Sequence, residues 1–193
     1  MQLRSLGVYC GSSPGLLPIY RETAHALGVQ LAREGIVLVY GGGNVGLMGV
    51  VADGALAEGG KVIGVIPDSL KLKEVAHGGL TELHVVKCMH ERKKVIADLS
   101  DAFLALPGGV GTIEEILEAF TWSQLGIHAK PCALLNTAGY YDLLIRFLHY
   151  TAEQRFLKGD YLGSLIVEAD VTSALAQIRA YAPIIADKWI DRE

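Results

Sequence analysis

The sequence predicts an α/β fold in which helices cover both faces of a parallel sheet. Short apolar runs alternate with helical patterns along the whole chain, which is typical of strands joined by crossover helices. The run Ile-Val-Leu-Val at 36–39 lacks polar alternation, which fits a strand buried on both sides. No repeat, linker or low-complexity stretch divides the 193 residues, so we expect residues 1–193 to form a single Rossmann-like domain.

Each strand is predicted from a short apolar run. In chain order the predicted strands are Leu6–Cys10, Ile36–Tyr40, Val62–Ile66, Thr81–Val86, Ala102–Leu106, Cys132–Leu135 and Leu165–Val167. Pro67 ends the third strand. The polar, glycine-containing segment Asp68–Gly79 that follows is predicted to be a mobile loop.

The helices are predicted from apolar residues that recur at helical spacing. In the first of them, Ala24, Leu27, Gly28 and Leu31 share one face, and Gly35 ends the helix. Further helices are expected at 47–58, 89–99, 141–156 and 171–181, and one follows the glycine-rich turn at 107–112.

Composition excludes several classes of protein. The net charge of −4 carries no basic surplus, so a nucleic-acid binder is not expected. No apolar run reaches the length of a membrane span, and the N-terminus enters a strand without a signal-peptide core. Cys10, Cys88 and Cys132 are widely spaced and odd in number, which argues against a metal site or a disulfide framework. We therefore expect a cytoplasmic protein.

The most informative segment runs from Pro107 to Glu115. It is a glycine-rich turn between a strand and a helix, where backbone N–H groups and a positive helix N-terminus form an anion site. Thr112 adds a hydroxyl donor. Glu114 and Glu115 are predicted in the first turn of the helix. A phosphate site beside carboxylates indicates chemistry on a phosphorylated substrate.

Three unusual turns follow strands, at residues 11–15, 41–49 and 107–112. Ligands of parallel sheets bind beyond the carboxyl ends of the strands, so we expect all three turns at one edge. Ser12 and Ser13 in the first turn are equally consistent with contacts to a sugar or base and with ordinary turn chemistry.

The second turn, Gly41–Gly46, satisfies the G-x-G-x-x-G pattern of dinucleotide-binding proteins. That interpretation is disfavoured, because the pattern follows the second strand and the expected acid, Asp68, lies beyond Pro67. We instead predict that Gly42 and Gly43 line the pocket. Gly46 and Gly49 are predicted to allow tight turns and close helix packing.

The segment Met89–Lys94 opens a helix just after a strand. Arg92 is predicted on its inward face, where a planar guanidinium suits phosphate or carboxylate. Glu91 and Lys94 are predicted to be solvated, and His90 to be a surface or capping residue. Cys10 is predicted to be a small buried hydrophobe.

These motifs together resemble the LOG family, the cytokinin riboside 5′-monophosphate phosphoribohydrolases, whose members often carry an older lysine decarboxylase label. The resemblance spans about residues 6–141. The family pattern P-G-G-x-G-T-x-x-E is matched by Pro107, Gly108, Gly109, Gly111, Thr112 and Glu115; G-G-G-x-x-G-L-M-G by Gly41, Gly42, Gly43, Gly46, Leu47, Met48 and Gly49; and M-H-x-R-K by Met89, His90, Arg92 and Lys93.

The resemblance implies hydrolysis of the N-glycosidic bond in adenosine 5′-monophosphate nucleotides, without a cofactor or metal, by an enzyme that is at least a homodimer. It implies that Arg92 and Glu115 are the catalytic pair. The predicted substrate-binding residues are Ser12, Ser13, Gly42, Gly43, Glu74, Met89, Lys93, Gly108, Gly109, Val110, Gly111, Thr112, Ile113, Glu114 and Thr121.

The chemistry of the reaction agrees with these residues. Cleavage builds positive charge on the ribose, and we expect the Glu115 carboxylate to stabilise that charge and to orient water. Three roles are open for Arg92: holding Glu115, contacting the phosphate or assisting the leaving base.

Two other functions are weighed against hydrolysis. A non-catalytic nucleotide or cofactor carrier of the same fold would need the phosphate turns but not the Arg92 and Glu115 pair. Lysine decarboxylation is excluded, because it ordinarily needs pyridoxal phosphate on a Schiff-base lysine, and no lysine lies in a motif for that role.

Overall fold

In the part of the chain that the structure describes, seven strands form one sheet, all paired in parallel. A computed structural model describes residues 2–71 and 76–183. The strands are β1 (Ser5–Tyr9), β2 (Val37–Tyr40), β3 (Val62–Pro67), β4 (Glu82–Val86), β5 (Ala102–Ala105), β6 (Cys132–Leu135) and β7 (Leu165–Glu168). Their order across the sheet is β4-β3-β2-β1-β5-β6-β7. The strand order therefore reverses between β1 and β5, and the crevice beyond this switch point is where such sheets bind ligands.

Eight helices connect and cover the strands of the described chain. They are α1 (Pro18–Arg33), α2 (Gly46–Ala57), α3 (Asp68–Lys71), α4 (Met89–Leu99), α5 (Val110–Gln124), α6 (Asp142–Glu153), α7 (Gly159–Leu162) and α8 (Val171–Ala180). The α/β fold with a parallel sheet is as predicted. Three short elements were not predicted: α3, α7 and a single 3₁₀ turn at Thr137–Gly139. No helix in the described part of the chain is long and apolar enough to cross a membrane.

The sheet separates two apolar cores. Alternate residues of β1 point to opposite faces, so Leu6 and Val8 pack with α1, α2 and α8, whereas Tyr9 packs with α4 and α5. Leu104 and Phe103 of β5 divide between the two cores in the same way. Both faces of the central strands are therefore buried, as their unbroken apolar sequence predicts.

The first helix has the predicted buried face of Ala24, Leu27, Gly28 and Leu31. Gly28 allows a close crossing with α2, because a Cβ at this position would lie 2.2 Å from the carbonyl oxygen of Val51. This contact holds α2 against α1, and it thereby positions the turn between β2 and α2.

The described parts of the segment after β3, residues 68–71 and 76–79, contain structure that the sequence analysis does not predict. Instead of a loop beginning at Asp68, the four-residue helix α3 follows β3 directly. Ala76 then forms an antiparallel bridge with Gly43, and the N–H of His77 donates to the carbonyl oxygen of Gly42. These contacts come from a turn more than thirty residues away, so local sequence does not reveal them.

Candidate active site

A cavity of about 360 Å³ lies at the sheet edge, beyond the carboxyl ends of β1 and β2. Its lining residues are Val8, Tyr9, Cys10, Gly11, Ser12, Gly41, Met48, Leu70, Met89, Arg92, Gly109, Val110, Gly111, Thr112, Glu114 and Glu115. All three glycine-rich turns contribute, as the parallel topology predicts. Both predicted catalytic residues therefore lie in one cavity.

The turns after β1 and β5 are fastened to each other at the switch point. The N–H of Gly11 donates to the carbonyl oxygen of Pro107 at 3.1 Å, and the N–H of Leu106 donates to the carbonyl oxygen of Tyr9 at 2.9 Å. A Cβ on Gly108 would lie 2.1 Å from Oγ1 of Thr112, so the turn closes only around glycine. This packing directs the start of α5 at the cavity.

Tyr140 supports the same turn, a role that the sequence analysis missed. Its hydroxyl donates to the carbonyl oxygen of Gly108 at 2.7 Å. The residue lies more than thirty positions from the turn and belongs to no motif, so the sequence carries no signal for it. The neighbouring Tyr141 is buried and donates to Leu106 at 2.6 Å.

Helix α5 begins earlier than predicted. Gly109 is its N-cap and Val110 its first residue, so the first turn carries no acidic side chain. Glu114 and Glu115 lie in the second turn, and their predicted placement in the first turn is wrong, because Gly109 and Gly111 do not prevent the helix from starting at Val110. The first N–H groups of the helix thus meet the cavity without a carboxylate among them.

Arg92 is almost fully buried, with 6% of its surface exposed. Its Nη2 donates to the carbonyl oxygen of Gly41 at 3.1 Å, and its Nη1 lies 3.6 Å from Sδ of Met89. A Cβ on Gly41 would lie 1.9 Å from Nη2. The absence of a side chain at Gly41 therefore makes room for the guanidinium.

The charges of Arg92 and Glu115 both influence the pKa of residues at the end of β1. Burial raises the pKa of Tyr9 well above its usual value, the negative charge of Glu115 raises it further, and the positive charge of Arg92 opposes this. Burial and the charge of Glu115 also raise the pKa of the Cys10 thiol, and the charge of Arg92 again opposes them. Cys10 is thus a buried, protonated thiol, in agreement with its prediction as a small hydrophobe.

Lys93 is held between two carboxylates of α5. Its Nζ lies 2.5 Å from Oε1 of Glu114 and 2.9 Å from Oε1 of Glu118. Burial by itself would lower the pKa of Lys93, but the hydrogen bonds that its ammonium donates to both carboxylates, together with their negative charges, outweigh burial, and the pKa is raised. The ammonium therefore stays charged. Glu118 was not among the predicted site residues.

Several predicted site residues lie beside the cavity rather than on its wall. Gly42 and Gly43 bond to the segment 76–77, and Gly41 takes the lining position predicted for them. Ser13 and Gly108 line an adjoining cavity of about 220 Å³ together with Tyr20 and Tyr140.

Two further predicted residues lie on α5, and one falls outside the described structure. The Thr121 hydroxyl donates to the carbonyl oxygen of Leu117 one turn back. Ile113 packs against the apolar core on the α4 and α5 side of the sheet. Glu74 lies outside the described residues, so its place is not given.

The remaining glycines of the second turn have the packing role predicted for them. A Cβ on Gly46 would lie 2.3 Å from the carbonyl carbon of Ser12, and one on Gly49 would lie 2.6 Å from the carbonyl oxygen of Asn44.

Within residues 2–71 and 76–183, no group of three or more His, Cys, Asp and Glu side chains is arranged to hold a metal ion.

Comparison with known proteins gives the family. The model of a family described as "possible lysine decarboxylase" matches residues 48–178. A cytokinin riboside 5′-monophosphate phosphoribohydrolase of Rhodococcoides fascians is 49% identical over 92% of this chain and 90% of its own length. An enzyme of the same name from Oryza sativa subsp. japonica is 44% identical over 94% of this chain and 75% of its own. The chain belongs to the LOG family.

Solved structures share the architecture of this LOG-family chain at lower identity. A molybdenum cofactor binding protein from Rippkaea orientalis superposes with a TM-score of 0.71 at 26% identity, covering 93% of this chain and 98% of that one. A molybdenum cofactor carrier protein from Chlamydomonas reinhardtii gives 0.69 at 25% identity, with 93% and 98% covered. The fold is therefore shared with cofactor carriers, and the distinction between them rests on the site.

Proposed function

We propose that this protein hydrolyses the N-glycosidic bond of adenosine 5′-monophosphates, N6-modified ones included, and releases the free base and ribose 5-phosphate. The observation that carries the proposal is that Arg92, Glu115 and the N-terminus of α5 line one cavity. The proposal is also supported by relatives of 44–49% identity, named cytokinin riboside 5′-monophosphate phosphoribohydrolases, which match more than nine-tenths of the chain.

The 5′-phosphate is assigned to the start of α5. Gly109, Val110, Gly111 and Thr112 line the cavity there, and the first N–H groups of a helix have no partner within it. With no acidic residue in the first turn, the positive end of the helix dipole is available to a phosphate. Binding at this remote group positions the ribose over the catalytic residues.

Glu115 is assigned to the reacting carbon. As the bond between C1′ and the base nitrogen breaks, its electron pair leaves with the base and positive charge develops on the ribose. A carboxylate fixed beside that charge lowers its energy in the transition state. The oxygen of a water molecule then bonds to C1′, and the departing base takes up one proton of that water.

Arg92 is assigned to the electrostatics of the cavity. Its guanidinium is fixed by the carbonyl oxygen of Gly41 and by burial on α4. The charge of this fixed cation opposes that of Glu115 in its effect on Tyr9 and Cys10. A binding module would gain nothing from a buried cation and a carboxylate on the wall of one cavity, so these two residues favour hydrolysis over the carrier function of the structural neighbours.

Decarboxylation of lysine does not fit the site. Schiff-base chemistry on pyridoxal phosphate needs a lysine whose amine can lose its proton. The ammonium of Lys93 lies between Glu114 and Glu118, and its pKa is raised. The charged, doubly paired Lys93 therefore does not fit the role of a Schiff-base lysine.

We also propose that the enzyme is a homodimer in the cytoplasm. Val110 lines the cavity with 85% of its surface exposed, and Met89 is exposed on the same cavity. A second copy packed there would cover both apolar side chains. The three cysteines are free thiols, as is usual in a reducing compartment. Light scattering on the purified protein tests the dimer, and a monomer at micromolar concentration would contradict it.

The products of the reaction test the proposed function. Purified protein is incubated with isopentenyladenosine 5′-monophosphate and with AMP, and the products are identified by mass spectrometry. Free base together with ribose 5-phosphate is expected. Nucleoside and inorganic phosphate would indicate a phosphatase, and bound nucleotide without turnover would favour the carrier.

A further inference from the structure

A second set of charges lies directly beside the two residues assigned to catalysis. Arg92 and Lys93 are consecutive on α4, and Glu114 and Glu115 are consecutive on α5. Lys93 is bonded to Glu114 at 2.5 Å and to Glu118 at 2.9 Å. The two helices that carry the catalytic groups are thus joined by an ionic contact one residue away from them.

Glu118 is the unexplained member of this cluster. It does not line the described cavity, and it lies three residues beyond Glu115, where the matched glycine-rich pattern ends. Glu114 and Glu118 are four residues apart on one helix face, where like charges repel each other. The ammonium of Lys93 between them relieves that repulsion, so the three groups stabilise one arrangement of α4 against α5.

The contact between Lys93 and Glu118 is largely buried, so it restricts the directions of both side chains. Only 11% of the Lys93 side chain and 27% of the Glu118 side chain are exposed. Successive residues of a helix point about 100° apart, so fixing Lys93 fixes the rotation of α4 and the direction of Arg92. The same reasoning applied to Glu118 on α5 fixes the direction of Glu115, whereas the Glu114 side chain that bonds the same ammonium is half exposed.

We infer that Glu118 and Lys93 are positioning residues, which clamp α4 to α5 and so set Arg92 and Glu115 in their places across the cavity. The inference rests on the proposed hydrolysis. It gives Lys93 a different role from the substrate contact that the family resemblance implies. A lysine that binds substrate would have its ammonium directed at the phosphate, whereas this ammonium is already shared by two carboxylates.

The decisive variant is Glu118→Gln, which keeps the shape of the side chain and removes its charge. We expect kcat for base release from AMP to fall about 10- to 100-fold, because misplacing catalytic groups by about an ångström has effects of this size. KM should stay within about twofold, since no substrate contact is removed.

The Lys93→Met/Glu118→Gln double variant should be no slower than Lys93→Met, because both changes break the same contact. Lys93→Arg, which can hold both carboxylates, should retain most of the activity.

Lys94→Met is the matched control. Lys94 pairs with Asp98 on the same helix, but this pair is exposed and lies away from the cavity. Its loss should leave kcat and KM unchanged. Melting temperatures of all variants show whether each is folded, and if Lys93→Met does not fold, Glu118→Gln decides alone.

Two results would overturn the inference. One is a Glu118→Gln variant with wild-type kcat. The other is a Lys93→Met variant whose KM rises while its kcat is unchanged, which would make Lys93 a substrate contact. If the wild type and Lys94→Met release no base, it is the proposed hydrolysis that fails, and with it the premise of the inference.

Discussion

The Nη2 atom of Arg92 lies 3.1 Å from the carbonyl oxygen of Gly41, and it occupies the space that a side chain on Gly41 would need. A residue at the start of α4 is thereby fixed by the turn that follows β2. This contact explains why the first glycine of the triple-glycine turn, rather than the second or third, lines the cavity beside the guanidinium.

The Gly41→Ala variant should lose activity because of this contact. The new Cβ would lie 1.9 Å from Nη2, so Arg92 must leave its place. We expect kcat for base release to fall about 100-fold, the usual effect of misplacing a catalytic group. Steady-state kinetics with AMP measure it.

Gly159→Ala is the control for that variant. Gly159 opens α7, and a Cβ there would have no neighbour within 4 Å. Its kinetics should match the wild type. Wild-type activity in Gly41→Ala would show that the position of Arg92 does not matter for turnover.

The phosphate assignment predicts a strong preference for nucleotides over nucleosides. Adenosine lacks the group that the N-terminus of α5 would hold, and each hydrogen bond to a charged group contributes about 1.5–3 kcal/mol. We expect kcat/KM for adenosine to be at least about 100-fold below that for AMP, which corresponds to one or two such bonds. Equal values of kcat/KM for the two substrates would contradict the assignment of the phosphate to the N-terminus of α5.

The three thiols should differ sharply in reactivity. Cys10 and Cys132 are buried and burial raises the pKa of each, whereas Cys88 is exposed. Since the thiolate is the reactive form, a chromogenic disulfide should label one thiol rapidly in the folded protein and the other two after unfolding. Cys88→Ser should abolish the rapid phase. Rapid labelling of Cys10 would contradict its protonated, buried state beside the cavity.

The contribution of Lys93 to stability should be lost only at strongly alkaline pH. Its pKa in the folded protein is raised above the ordinary value of 10.5, so its stabilising effect is fully present below that value and declines as the pH rises through the folded pKa. The difference in free energy of unfolding between wild type and Lys93→Met should therefore be constant between about pH 7 and about pH 9. A steady decline of this difference across that window would contradict a charged, paired lysine.

The sequence predicts the fold well because the signals it uses are local. The buried face of α1 follows from the spacing of Ala24, Leu27 and Leu31, and the parallel sheet follows from the alternation of apolar runs with helices. The edge on which the three turns meet follows from the topology alone. Arg92 and Glu115 share a cavity for the same reason, since each lies close behind a strand end.

The remaining features depend on contacts between distant parts of the chain. Tyr140 reaches Gly108, Ala76 pairs with Gly43, and Glu118 reaches Lys93 on another helix. None of these pairs has a sequence spacing that indicates contact. The start of α5 is a different case, because the glycines that suggested a turn are the N-cap and second residue of the helix itself.

The most direct test of the account compares the wild type with Glu115→Gln for base release from AMP, together with the affinity of each for AMP. Glutamine keeps the size of the side chain and removes the charge that would stabilise the cationic transition state. We predict a loss in kcat of about 10²- to 10³-fold, the usual cost of removing one preorganised electrostatic group, with a dissociation constant within about twofold of the wild type. Equal rates in the two proteins would contradict the assignment of Glu115 to the reacting carbon.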